Sequence, residues 1–223
     1  MLFAVDKAFC ISIKERIDRQ KIAKESLAKL GTPLEFWLVD KDVENPERGC
    51  YNSHRDIAKY ALENNYERVL VFEDDVMFHR IPSARELRRF NQFLKSNRGD
   101  IFYLGALLGR LWLTPKLGIA RCSAFCTHSY ILNKSGMEKL VATPYDGTAV
   151  DLVYKRKLDS YLAFPMLTSQ LPYDVASSDI STHRNDNVVF TDDSWEVNKR
   201  YQYWSALKNF KYTLLNRSNC GPR

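Results

Sequence analysis

The chain has no long hydrophobic run. Met1 opens a short apolar stretch that Asp6 and Lys7 interrupt. It offers neither the h-region of a signal peptide nor the roughly 20 apolar residues that a membrane-spanning helix needs, and a cytoplasmic protein is the expectation. Cysteine is scarce and unpatterned. Cys10, Cys50, Cys122, Cys126 and Cys220 make an odd five without a CxxC pair or a His/Cys zinc-finger spacing, which argues against a disulfide framework and for ordinary thiols in a reducing compartment. The chain also lacks a repeat, a low-complexity tract and an ER-retention ending, since it closes on Cys220-Gly221-Pro222-Arg223. Without a secretion signal, Asn133-Lys134-Ser135 and Asn216-Arg217-Ser218 read as chance matches to the glycosylation sequon.

With 223 residues and 45% apolar composition there is enough chain for one large core and too little for two independent domains. The formal net charge of +6 suits an anionic nucleotide, an anionic membrane surface or nucleic acid, without choosing among them.

The first third alternates strand-like and helix-like segments. Strands are expected over Phe9 to Ile13, Leu34 to Val39 and Arg68 to Phe72. A helix is expected from about Asp18 to Leu30, closed by Gly31, and a second, capped by Ser53, running to about Asn64. Arg68 to Phe72, rich in Val, Leu and Phe, should be buried on both faces. This β-α-β-α-β order predicts parallel strands whose carboxyl ends share one edge, the edge where open α/β sheets bind nucleotides. Arg16, Asp18 and Arg19 follow the first strand, Asp40 the second, and Glu73, Asp74 and Asp75 the third. Further on, Ala84 to Lys95 reads as a helix and Asp100 to Leu104 as a strand. Two strands are expected within Ile119 to Leu132, short helices over Ser135 to Val141 and Asp151 to Leu158, and a long loop from about Pro172 to Asp193.

Three consecutive carboxylates at the mouth of a core resist ionising together, and a divalent cation removes the conflict. Oxygen ligands suit Mn²⁺ or Mg²⁺, which commonly bridge one or two carboxylates to substrate phosphates. Asp75 is assigned to the metal, with Glu73 and Asp74 supporting the site or touching the donor. Alternation along an extended segment would turn Glu73 and Asp75 one way and Asp74 the other.

Several ordered features then resemble glycosyltransferase family 25, which includes bacterial lipooligosaccharide galactosyltransferases and collagen hydroxylysine galactosyltransferases. They are Arg16-Ile17-Asp18-Arg19 after the first strand, Gly49-Cys50-Tyr51-Asn52-Ser53-His54, and Leu70-Val71-Phe72-Glu73-Asp74-Asp75-Val76. After these come Thr127-His128-Ser129-Tyr130-Ile131-Leu132 with Gly136, then Asp151, Gln170 and Ser178-Asp179-Ile180. Where the family usually has Asn in the first strand, this chain has Ser12.

The resemblance implies a GT-A-type, Rossmann-like nucleotide-sugar-binding fold with a mostly parallel central sheet, occupying residues 1–194. It also implies an inverting hexosyl transfer, galactose first, from a UDP-sugar to a glycan or hydroxylysine acceptor with Mn²⁺. A non-catalytic nucleotide-sugar or carbohydrate-binding protein of the same fold is the alternative. Arg16, Arg19, Asp40, Ser53, His54, Glu73 and Asp74 are the expected donor contacts. Asp151 is the first candidate for the base that deprotonates the acceptor and Asp179 the second, and His183 is a candidate second metal ligand. His128 is expected in a strand, as a core residue or at the site.

Residues 195–223 interleave Tyr201, Tyr203, Trp204, Phe210 and Tyr212 with Lys199, Arg200, Lys208, Lys211 and Arg217. The simplest expectation is a terminal helix docking its aromatics on the core and leaving its charges in water. Peripheral membrane contact is a second reading, and nucleic acid is disfavoured.

Overall fold

The computed structural model describes residues 2–172 and 192–215. An eight-stranded sheet forms its centre. Its strands are β1 (Lys7–Ile13), β2 (Glu35–Val39), β3 (Arg68–Glu73), β5 (Ile101–Tyr103), β6 (Leu107–Leu113), β7 (Ile119–Phe125), β8 (Ser129–Asn133) and β9 (Ser160–Ala163), in the order β2-β1-β3-β8-β5-β9-β7-β6. Only β8 and β7 run against the rest, so the sheet is mixed but mostly of one strand direction. Two short strands, β4 (Val76–Phe78) and β10 (Thr168–Gln170), pair antiparallel beside it.

Helices cover both faces. On one side α2 (Pro46–Glu63), α4 (Lys134–Val141) and α5 (Val150–Lys157) enclose a core with Phe9, Val69 and Val71. On the other, α1 (Ile17–Ala28) and α3 (Ala84–Lys95) pack on Ala8, Cys10, Leu70 and Phe72. Neighbours in one strand thus enter opposite cores, which is why β3 has no polar face and is buried from Val69 to Phe72.

The helix boundaries follow local chemistry. Helix α1 gives way to Gly31, whose φ of +64° suits a residue without a Cβ. Helix α2 starts well before Ser53. Asn45 caps it, accepting from the Arg48 N–H at 3.0 Å, and Pro46 stands at the first helical position, where its missing N–H costs nothing. Ser53 therefore lies inside the helix, its hydroxyl donating to the Gly49 carbonyl at 2.7 Å, and His54 is a buried mid-helix residue instead of a near-cap one.

The C-terminal chain forms α6 (Asp192–Lys208) and α7 (Phe210–Leu214) against β6. Helical and docked were expected, but the docking face differs from the expectation. Trp195 is buried, whereas Tyr203, Trp204 and Phe210 are exposed, and the stripe turned to the sheet is Asn198, Gln202, Ser205 and Asn209. An uncovered edge strand presents backbone groups that only polar side chains can satisfy.

Candidate functional site

The end of β3 carries the acidic trio. The strand stops at Glu73, and Asp74 and Asp75 form the turn into β4, so period-two alternation ends there. Asp74 and Asp75 share a partner, and Glu73 goes elsewhere, contrary to the grouping expected from an extended chain. One guanidinium nitrogen of Arg19 lies 2.6 Å from Asp74 and 2.8 Å from Asp75, with all three side chains nearly buried. The Ser12 hydroxyl donates to Asp74 at 2.6 Å, and the Gln170 amide approaches Asp75 at 3.4 Å. Glu73 accepts from the Thr127 hydroxyl at 2.6 Å and lies 3.4 Å from His54 Nε2. The other nitrogen of His54 meets the Tyr130 hydroxyl at 2.7 Å, and that hydroxyl meets Tyr154 at 3.0 Å.

The electrostatics separate the three carboxyls. Burial pushes Asp75 up to about 7, Arg19 opposing and Glu73 and Asp74 adding to the rise. Burial also raises Asp74, against Arg19 and the Ser12 hydrogen bond. Glu73 suffers burial too, yet the His54 and Thr127 contacts prevail and hold it below the ordinary value. At an effective dielectric near 20, like charges about 4 Å apart repel by about 4 kcal/mol. A single arginine therefore leaves the Asp74–Asp75 turn short of positive charge.

Asp151 belongs to the same neighbourhood. It is the second residue of α5, but it accepts no capping hydrogen bond there; its carboxylate accepts from the Cys126 backbone N–H at 3.3 Å. The Cys126 and Cys50 thiols are raised first by burial and then by Asp151 and Glu73, with Asp75 also contributing, so both sulfurs lie within electrostatic reach of all three carboxylates. His128 is in a bend before β8, not in a strand. It is fully buried, 3.3 Å from the Thr168 hydroxyl and edge-on to Trp195 at 5.4 Å between ring centres.

Other expected residues stand further out. Arg16 pairs with Asp18 at 3.1 Å, and its charge still lowers Asp74. Asp40 binds Lys14 at 2.8 Å with 80% of its side chain exposed. Asp179 and His183 lie outside the described residues. Sequence reasoning gave no role to Thr127, Tyr130 or Tyr154, although Thr127 and Tyr130 fall in a stretch already singled out, and it noted Ser12 only as a departure from the family pattern. A cavity of about 380 Å³ lined by Phe3, Lys7, Thr32 and Glu35 opens at the start of β1 and β2, the sheet edge opposite the trio.

One stretch of the chain, which includes this strand, the acidic turn and the helix-borne histidine, is similar to a known family. Residues 37–122 match glycosyltransferase family 25 (LPS biosynthesis protein). The family 25 segment contains α2 with His54 and the whole acidic trio, and it supports a role in glycosyl transfer. No curated protein matches the whole-chain search.

Among solved structures, A197 from STIV is 13% identical, with a TM-score of 0.44 over 70% of this chain and 80% of that one. A glycosyltransferase involved in glycosylation of the PBCV-1 major capsid is 12% identical, with 0.39 over 68% and 75%. A Drosophila β-1,4-galactosyltransferase 7 mutant, solved with manganese, UDP-Gal and xylobiose, is 9% identical, with 0.42 over 86% and 79%.

The Asp74–Asp75 carboxylates fit a hard divalent cation. Asp75 Oδ1 is buried with no hydrogen-bond partner among the described residues, and carboxylate oxygen is the ligand such ions favour. Among the described residues no three His, Cys, Asp or Glu side chains are grouped to hold a metal unaided. A cation here would complete its shell from substrate phosphate and water, as Mg²⁺-type ions commonly do.

Proposed function

We propose that this protein is an inverting, metal-dependent hexosyltransferase that uses a UDP-sugar, galactose first, and a glycan or hydroxylysine acceptor. The observation that carries the reading is the buried Asp74–Asp75 turn at the carboxyl end of β3, short of positive charge and holding an unsatisfied Asp75 oxygen. Asp75, with Asp74 beside it, would hold Mn²⁺ or Mg²⁺, and the bound ion would supply stabilisation of the charge that gathers on the departing diphosphate. Arg19 sets the turn and neutralises part of its charge. Glu73, fixed by Thr127 and His54, is a rigid acceptor for a sugar or ribose hydroxyl. Asp151, held on the Cys126 N–H, takes the acceptor proton as the new glycosidic bond forms.

UDP release from a panel of UDP-hexoses, with and without Mn²⁺, tests this reading. Asp75→Ala is expected to abolish release while preserving the fold, because it removes one of several crowded like charges. Full turnover of the wild-type protein in EDTA would refute the metal dependence. Tight UDP-sugar binding with no turnover on any acceptor would favour a non-catalytic binding protein.

A further inference from the structure

We propose that the outer face of α6 and α7 docks on an anionic phospholipid surface. A helix at the surface of a globular domain ordinarily turns its apolar side inward, but α6 buries few apolar residues, chiefly Trp195 and Ala206, and leaves most of its large apolar side chains outside. Asn198, Gln202, Ser205 and Asn209 face the sheet. They bond the edge of β6: the Leu108 N–H donates to Asn198 at 3.0 Å, the Leu111 N–H donates to Ser205 at 2.8 Å, and the Asn198 and Asn209 amides donate to the carbonyls of Ala106 and Leu111. The residues left outside are Tyr203, Trp204 and Leu207 on α6, then Phe210 and Leu214 on α7, each more than half exposed. Of these, Tyr203 keeps one ring contact to the domain, edge-on to Phe164 at 5.5 Å between centres, and the others turn to solvent.

Its charge selects the occupant. Glu196 pairs with Lys199 at 3.0 Å and with Arg200 at 3.8 Å, and no acidic residue follows it in the sequence, whereas Lys208 and Lys211 stand among the exposed rings. Tryptophan, tyrosine and leucine beside lysines are the composition of an interfacial helix, whose rings enter the headgroup boundary while ammonium groups meet lipid phosphates. No helix among the described residues is long and apolar enough to cross a membrane. Trp195, on the first turns of α6, packs on His128 beside the acidic site, so docking would hold that site close to the bilayer. The inference stands on this surface alone and does not depend on which sugar is transferred.

Vesicle sedimentation of the full chain decides it, using phosphatidylcholine alone and phosphatidylcholine mixed with phosphatidylglycerol. Binding is expected only to the mixture, with a blue shift of tryptophan emission that Trp204→Phe removes. Lys208→Gln combined with Lys211→Gln should weaken binding about 30-fold. Leu207→Glu should abolish it with thermal unfolding unchanged, and Trp204→Ala serves in its place should that variant misfold.

Absence of binding to the anionic mixture would overturn the proposal. So would binding that none of these substitutions alters, a concentration-dependent dimer that Leu207→Glu dissociates, or binding of a single-stranded oligonucleotide through the same residues with no vesicle binding.

Discussion

Asp151 sits inside α5 yet spends its hydrogen bond across the site, on the backbone of Cys126, a non-glycine residue at φ +67°. A carboxylate that only capped a helix would cost about 1 kcal/mol when replaced and leave turnover alone. A base that acts as the acceptor attacks contributes to the transition state and not to donor affinity. Asp151→Asn is therefore expected to lower kcat by about 10² to 10⁴ with unchanged UDP-sugar binding, measured by steady-state kinetics beside nucleotide titration. Loss of rate in Asp179→Asn instead would move the base to that residue. His128 supplies a pH signature. Burial holds its pKa down to about 4, whereas an unfolded chain takes the proton near 6.5. Between those values the unfolded state binds more protons, so the His128 contribution is complete above about pH 6.5 and is lost as pH falls toward 4. It amounts to about 3 kcal/mol. Asp75 works oppositely: its raised pKa makes the native state bind the extra proton, which favours the fold as pH falls below about 7. The two partly cancel in the wild type. Urea titrations at pH 7 and 4.5 should consequently show His128→Gln losing less stability on acidification than the wild type. At this scale the acidic trio stood out in the sequence by its run of like charge, whereas Asp151, a lone carboxylate before a helix, was singled out only through the resemblance. Thr127, Tyr154 and the bond of Ser12 to Asp74 did not stand out, since ordinary polar and aromatic residues acquire a role only when distant segments bring Glu73, Tyr130 and Asp74 against them.

Elements with a sustained period were readable, and short ones were not. Helix α3 spans Ala84–Lys95, the range expected from Leu87, Phe90 and Leu94, with a reciprocal Ser83–Glu86 capping box at its start. Strands β4, β9 and β10 have three or four residues each, too few to display a period, and Gly109 interrupts β6 at a register shift between Leu108 and Arg110. The start of α2 was misplaced because Asn45-Pro46 competes with Ser53, and proline at the first helical position decides the matter. Gly105 joins one of these short strands to an expected one. A Cβ there would lie 2.1 Å from the Thr168 carbonyl oxygen, where the end of β5 crosses β10. That oxygen belongs to backbone and cannot swing aside. Gly105→Ala is expected to cost about 1–3 kcal/mol in thermal or urea unfolding. Because β10 carries Gln170 toward Asp75, the same change should also weaken UDP-sugar binding.

Across the whole molecule, the β-α-β-α-β reading placed the first three strands side by side and parallel, and it brought Arg19 and the trio to one edge. The far half was harder to read. Strands β8 and β7 reverse direction, β5 is inserted between β8 and β9, and these non-local pairings leave no mark in any single segment. The side chains of α6 close the β6 end of the sheet. A strand edge left bare is a template on which another chain's strand can pair, and β6 carries Leu111 and Trp112 beside its open backbone groups. The helix thus serves as an edge guard against self-association. A chain ended before Asp192 should retain the acidic turn yet precipitate or form oligomers that grow with concentration, as size-exclusion chromatography and light scattering would record. If it stayed dispersed and monomeric, the guard would be superfluous.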